Sequence, residues 1–169
     1  PLPSCAPTTD PADVPPAVHR SRTVSHYSGV QFPERPFDLE FRTPSVAYVV
    51  GGNINVFGHA LLCFDVDVGY IHVDAPYGYP KLIPAKDFPD YLSQNGKKVF
   101  YRHYVTDLTD PDKALAEAER LRKIKWLWLG VPHNCVAFCE QILGKGGSKW
   151  TSKTNLPAYS ALGDWFSNG

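Results

Sequence analysis

Gly58-His59-Ala60-Leu61-Leu62-Cys63-Phe64, carried through Asp67-Val68-Gly69 into Tyr70-Ile71-His72-Val73-Asp74, is the stretch from which the rest of the chain can be read. The first run predicts a strand over about 57–66. By the two-residue period of a strand, His59, Leu61 and Cys63 share one face and Ala60, Leu62 and Phe64 the other. Asp67-Val68-Gly69 predicts a hairpin turn, after which the β-rich pattern resumes over 70–74, so the two strands should pair. That pairing would bring His59 and His72 near each other.

Moving outward, Val46-Ala47-Tyr48-Val49-Val50 is rich in β-branched and aromatic residues and stops at Gly51-Gly52, which predicts another strand. The interleaved aromatic and charged residues of 98–105 predict a further one. Asp110-Pro111 supplies a cap and a first-turn proline, and Leu115, Ala118 and Leu121 follow at helical spacing, predicting a helix over about 111–123. A second helix should start near Asn134 and end at Gly144 or Gly146, burying Val136, Cys139, Ile142 and Leu143 and carrying Cys135 in its first turn. The expected class is α+β, an antiparallel sheet packed against helices. Residues 45–169 form a single domain in this reading. Residues 1–44 hold nine of the sixteen prolines and should form an extended arm, either a linker or a strap around the core, with Tyr27, Phe32 and Phe37 favouring packing.

At 169 residues the chain can bury one sizeable core, and 43% hydrophobic with 20% charged residues is an ordinary globular composition. Lys plus Arg and Asp plus Glu are both 17, so no global field would draw the chain to nucleic acid or an anionic membrane. No apolar run approaches the roughly 20 residues of a membrane span, and Pro1-Leu2-Pro3-Ser4 lacks the pattern of a secretory signal. Cys5, Cys63, Cys135 and Cys139 lack the paired short spacings of a zinc ribbon and do not make a disulfide scaffold, so a structural zinc site is not expected.

A thiol attacks as the thiolate, and a cysteine in the first turn of a helix has its anion stabilised by unpaired backbone donors and the helix dipole. Cys135 occupies that position, with Asn134 as cap and Val131-Pro132 forcing an extended approach. Its own N–H is a candidate oxyanion donor. Cys139 and Cys63 read as core residues, and Cys5 has no plausible base. A nucleophilic thiol needs an imidazole and a third group that fixes the imidazole's tautomer. His59 takes the first role and His72 the second. Asp74 is a rival orienter, set aside as facing away from His59. His133 ranks third as a base because neighbours entering a helix point apart. Asn134, His133 and Asp74 are kept as candidate substrate or oxyanion positions. His103 reads as an exposed strand residue, and His19 and His26 fall in the arm.

The elements Gly58-His59-Ala60-Leu61-Leu62, Gly69-Tyr70-Ile71-His72-Val73-Asp74-Ala75-Pro76 and Asn134-Cys135-Val136-Ala137-Phe138 together resemble the circularly permuted NlpC-type papain-like group. That group includes bacterial amidase effectors and lecithin:retinol acyltransferase-like enzymes, and in it the histidine strands precede the cysteine helix. The resemblance covers roughly 46–147. It implies a papain-like fold, a Cys135–His59–His72 triad and no cofactor. Within it, the amidase branch implies a peptidoglycan peptide as substrate, secretion, action in the periplasm of a target bacterium, and an immunity or inhibitor protein as partner. The other branch implies lipid acyl transfer or phospholipid cleavage, for which Lys123-Ile124-Lys125-Trp126-Leu127-Trp128-Leu129 offers a basic, tryptophan-bearing foothold. A non-catalytic binding module that keeps the fold is the third alternative. Trp150, Tyr159, Trp165 and Phe166 should pack on the core rather than line a cleft.

Overall fold

The apolar run His59–Asp65 forms the strand with neighbours on both sides and cover on both faces. In the computed structural model, which describes residues 27–31, 40–51, 58–74, 77–127 and 134–152, the elements in chain order are β1 (Val30–Gln31), β2 (Ser45–Gly51), β3 (His59–Asp65), β4 (Gly69–His72), β5 (Tyr77–Gly78), β6 (Lys81–Pro84), α1 (Phe88–Gln94), β7 (Lys97–Tyr104), α2 (Pro111–Leu121), β8 (Trp126–Leu127) and α3 (Cys135–Lys145). Six strands make one sheet in the order β1-β6-β4-β3-β2-β7, and β5 pairs with β8 in a separate ribbon. Every pairing is antiparallel among the described residues. This is an α+β architecture.

Two cores explain why β3 is apolar at nearly every position rather than alternating. On one face Val46, Tyr48, Ala60, Leu62, Phe64, Ile71 and Val73 pack against α2 and α3. On the other, Ala47, Val49, Leu61, Cys63, Tyr70 and Ile83 pack against Phe88 and Tyr91 of α1. A strand covered on both faces has no solvent side to be polar on. Helix α3 docks through Val136, Phe138, Cys139, Ile142 and Leu143, all at 0% exposure. Burial of each of the larger apolar side chains among them contributes about 1.5–3 kcal/mol. Trp126 is buried edge-on against Phe138, with ring centroids 5.3 Å apart, so the 123–129 segment does not present that tryptophan to solvent.

The predicted strands and the two predicted helices are present. Asp110 caps α2 by accepting from the Lys113 N–H at 3.0 Å, and Asn134 caps α3. Strands β1, β5, β6 and β8 and helix α1 are additions to the predicted set, because two- to four-residue strands and a seven-residue helix carry too little periodicity to read. The described parts of segment 1–44 belong to the packed body: Val30–Gln31 pair with β6, Phe41 packs on Phe64 with centroids 4.6 Å apart, and the Tyr27 hydroxyl donates to Asp87 at 3.1 Å. Phe32 and Phe37 lie outside the described residues, as do Tyr159, Trp165 and Phe166. Trp150 is buried, as expected. His103 is not simply exposed but half-buried against Trp150, with rings 6.0 Å apart. Cys63 is buried yet not purely apolar in its surroundings: Arg102, which donates to the Ser45 and Tyr70 hydroxyls, favours its thiolate, though burial outweighs this and pushes the thiol up.

The β3–β4 turn sets the register of both histidines. Val68 donates to the Asp65 carbonyl at 3.1 Å, and Gly69 leaves the turn at φ 144°, where an added Cβ would lie 2.5 Å from the Ile83 carbonyl oxygen. Gly69→Ala should therefore cost roughly 1–3 kcal/mol in urea denaturation. Gly144 lies within α3 and has nothing within 4 Å of the position an added Cβ would take, so Gly144→Ala should gain up to about 1 kcal/mol. Equal effects at the two glycines would refute this account of the turn.

Candidate active site

Three elements from distant parts of the chain meet at the start of β3. His59 opens that strand, directly after Gly58 at φ 76°. His72 ends β4. The register Leu62↔Ile71 and Cys63↔Tyr70 places the two imidazoles on the same face, and His59 Nε2 lies 2.8 Å from His72 Nδ1. His72 Nε2 in turn lies 2.9 Å from the carbonyl oxygen of Ser28.

This chain of contacts assigns the tautomers. A carbonyl only accepts, so His72 carries its proton on Nε2 and donates it to Ser28. A neutral His72 then has an acceptor at Nδ1, and His59 must donate to it from Nε2. The remaining nitrogen of His59, Nδ1, is left with a lone pair. The hydrogen bonds thus fix His59 in the form that can accept a proton at Nδ1, as the base of a nucleophile–base pair must, with His72 as its orienting partner.

Cys135 arrives from the opposite face. Asn134 Oδ1 accepts from the N–H groups of Val136 at 2.9 Å and Ala137 at 3.2 Å, so the cap holds Cys135 as the first residue of α3. Its Sγ accepts from the backbone N–H of Ala60 at 3.4 Å, across 75 residues of sequence. That contact places the sulfur within about 6 Å of the His59 Cα by covalent geometry. The contact is to the backbone beside His59; among the described residues no hydrogen bond joins Sγ to the His59 ring.

Burial governs the protonation states. Cys135, His59 and His72 are 3%, 5% and 0% exposed. The expectation that the helix N-terminus would make this thiol acidic is corrected here. The backbone N–H groups of Ala60, Cys135 and Val136 and the charge of Lys97 all favour the thiolate, but burial outweighs them and pushes the thiol up to about 11. Burial, then His72 and Lys97, holds His59 well below the usual histidine range. Burial likewise brings His72 down to about 4, against the opposing pull of Asp74 and the Ser28 carbonyl. The site rests as a neutral thiol beside neutral imidazoles.

Of the other candidates, Asn134 is buried with its side-chain oxygen committed to the cap. Asp74 lies beyond the end of β4, and its charge raises the proton affinity of His72. It is ion-paired to Lys81 Nζ at 3.2 Å. His133, His19, His26 and Cys5 lie outside the described residues. Sequence reasoning missed Ser28, Tyr91 and Lys97. The Ser28 contribution is a backbone carbonyl, which no side-chain pattern signals. Tyr91 meets the His72 ring edge-on at 5.6 Å from a helix too short to be read in the sequence. Among the described residues no group of three or more His, Cys, Asp or Glu side chains is arranged to hold a metal ion, and no helix is long and apolar enough to cross a membrane.

Fold and site together define an α+β protein with a buried cysteine and a hydrogen-bonded histidine pair at one end of an antiparallel sheet. No protein-family model, curated protein or solved structure matches the chain.

Because His72 titrates at about 4 in the folded protein, below the ordinary 6.5, the unfolded chain binds the proton more readily. The stability that a neutral, hydrogen-bonded His72 provides is complete above pH 6.5 and is lost as pH falls toward 4, by about 3 kcal/mol. Urea midpoints measured from pH 7 to 4 should show His72→Gln furthest below wild type at pH 7 and closing on it toward pH 4. Parallel curves would reject the assignment.

Proposed function

We propose that this chain is a cysteine-nucleophile hydrolase on a circularly permuted NlpC-type papain-like scaffold, cleaving amide bonds in peptidoglycan peptides as a secreted antibacterial effector. What supports the chemistry is the Ala60 N–H to Cys135 Sγ contact, which seats the thiol beside a histidine whose free nitrogen is a proton acceptor. The chain order, histidine strands before cysteine helix, supports the scaffold. The choice of a wall peptide over other amides rests on the resemblance of the His59, His72 and Asn134-Cys135 elements to the amidase branch.

His59 Nδ1 takes the Cys135 proton as sulfur attacks the carbonyl carbon, and the carbonyl π pair moves onto oxygen, facing the Cys135 N–H. The intermediate collapses, the C–N bond breaks, and the amine leaves with the proton from His59. A thioester remains. Water, deprotonated by His59, adds to it, and the carboxylic product departs as the thiol regains its proton. Because thiol and imidazole are both neutral at rest, proton transfer accompanies attack instead of preceding it.

Cys135→Ala and His59→Ala should each abolish product release from purified peptidoglycan, read by mass spectrometry, while circular dichroism stays that of wild type. Turnover by either variant rejects the mechanism. Release of fatty acid from phospholipid vesicles in place of muropeptides would favour the acyltransferase-like branch, whose support is reduced by the burial of Trp126.

A non-catalytic binding module is the second reading, favoured by the raised proton affinity of the thiol and by the sulfur's contact with backbone instead of imidazole. Turnover separates the two: no product from peptidoglycan or from phospholipid vesicles, with a thiol probe labelling Cys135 no faster than a free thiol at neutral pH, would favour the binding module.

A further inference from the structure

Helix α1 ends at Asn95-Gly96. Gly96 takes φ 59°, the left-handed stop of a helix, and Asn95 is the cap, its backbone N–H donating to the Tyr91 carbonyl at 3.3 Å. The side-chain amide does more than close the helix. Nδ2 donates to the Tyr91 carbonyl at 2.8 Å and to the Tyr27 carbonyl at 2.7 Å, across 68 residues of sequence. Both N–H groups of the amide are thereby used. Without them the Tyr91 carbonyl would keep the backbone N–H of Asn95, whereas the Tyr27 carbonyl would keep no partner among the described residues.

The stretch that Asn95 holds is the one that orients the base. Val30–Gln31 lie along β6 at the edge of the sheet. At Gly29 the backbone turns at φ 98°, and Ser28 and Tyr27 leave that edge to reach His72 and the end of α1. Lys81 Nζ donates to Ser28 Oγ, and the Tyr27 hydroxyl donates to Asp87 at 3.1 Å. The crossing is close: a Cβ at Gly29 would lie 2.7 Å from the Leu82 carbonyl oxygen. The carbonyls gripped by Asn95 and by His72 belong to consecutive residues, Tyr27 and Ser28. A shift of the first is therefore passed to the second across one Cα between two planar peptide units.

The Ser28 carbonyl is the acceptor for His72 Nε2 at 2.9 Å. With that acceptor withdrawn, a neutral His72 can carry its proton on Nδ1 instead. His72 would then donate to His59 Nε2, and His59 would hold its own proton on Nδ1, where it can accept none. The choice is between two complete sets of tautomers, one with a base and one without. Among the described residues Asn95 forms no hydrogen bond to either imidazole or to the sulfur, so any effect it has on them passes through Tyr27 and Ser28.

We propose that Asn95 is a positioning residue for the base: by clamping the Tyr27–Ser28 backbone over His72, it selects the tautomers in which His59 Nδ1 is free to take the Cys135 proton. The proposal rests on His59 being that base.

The test is the nitrogen NMR spectrum of the histidine rings of the full chain at neutral pH, in which protonated and bare ring nitrogens resonate far apart. Wild type should show His59 and His72 each protonated at Nε2 and bare at Nδ1. Asn95→Leu keeps the volume of the side chain and removes both donors without adding charge. In it the two nitrogens of each ring should move toward a common value as the second set of tautomers fills, and kcat on peptidoglycan should fall roughly tenfold or more with KM unchanged. A role in packing alone would leave the ring nitrogens where they are. Gly29→Ala displaces the same stretch from the other side and should move them in the same direction; it decides the question if Asn95→Leu loses the circular dichroism of wild type. Wild-type ring nitrogens in either folded variant overturn the proposal, and so does a wild-type chain protonated at His59 Nδ1. The spectrum needs no substrate. A chain that releases nothing from peptidoglycan, yet whose tautomers shift in Asn95→Leu, loses the proposed reaction and keeps the clamp; turnover with unshifted tautomers does the reverse.

Discussion

One backbone hydrogen bond holds the two halves of the candidate site together: the Ala60 N–H reaches the Cys135 sulfur at 3.4 Å. Ala60 lies beyond the last residues that β3 and β4 pair through. A donor at the end of a buried strand must find an acceptor, and here the acceptor is the first side chain of α3. Strand and helix are thereby locked at the point where chemistry would occur. The ribbon of β5 and β8 reinforces the same junction, because β5 follows the His72 strand and β8 precedes the Cys135 helix.

Burial on both faces of the sheet has opposing effects. It fixes both imidazoles, with a single consistent set of tautomers running from the Ser28 carbonyl to His59 Nδ1. It also keeps the thiol protonated, since a thiolate loses more hydration on burial than three backbone donors return.

Where local chemistry is strong, the elements were legible in the sequence. Asp110-Pro111 and Asn134 announce α2 and α3 because capping is decided by a few adjacent residues. The run 59–65 and the turn at 67–69 announce the hairpin for the same reason, and with it the meeting of His59 and His72. Helix α1 was not legible: Phe88–Gln94 carries a proline and too few turns for a period to emerge, and packing of Phe88 and Tyr91 on the sheet sustains it. The acidity expected of Cys135 failed because a helix-end argument counts donors and does not count the water removed around them.

The amino-acid sequence by itself determined which residue types stand at the ends of which elements: a cysteine behind an asparagine cap, and a histidine at each end of a hairpin. Spacing and capping act over a few residues and need no knowledge of the fold. Only the tertiary structure decided that the Ser28 carbonyl orients His72, that Asp74 acts on the same histidine, and that Tyr91 and Lys97 close around the cluster. Those contacts join residues separated by 44 positions in the case of Ser28 and His72. Burial and electrostatic coupling across such separations depend on which surfaces the packed sheet brings together.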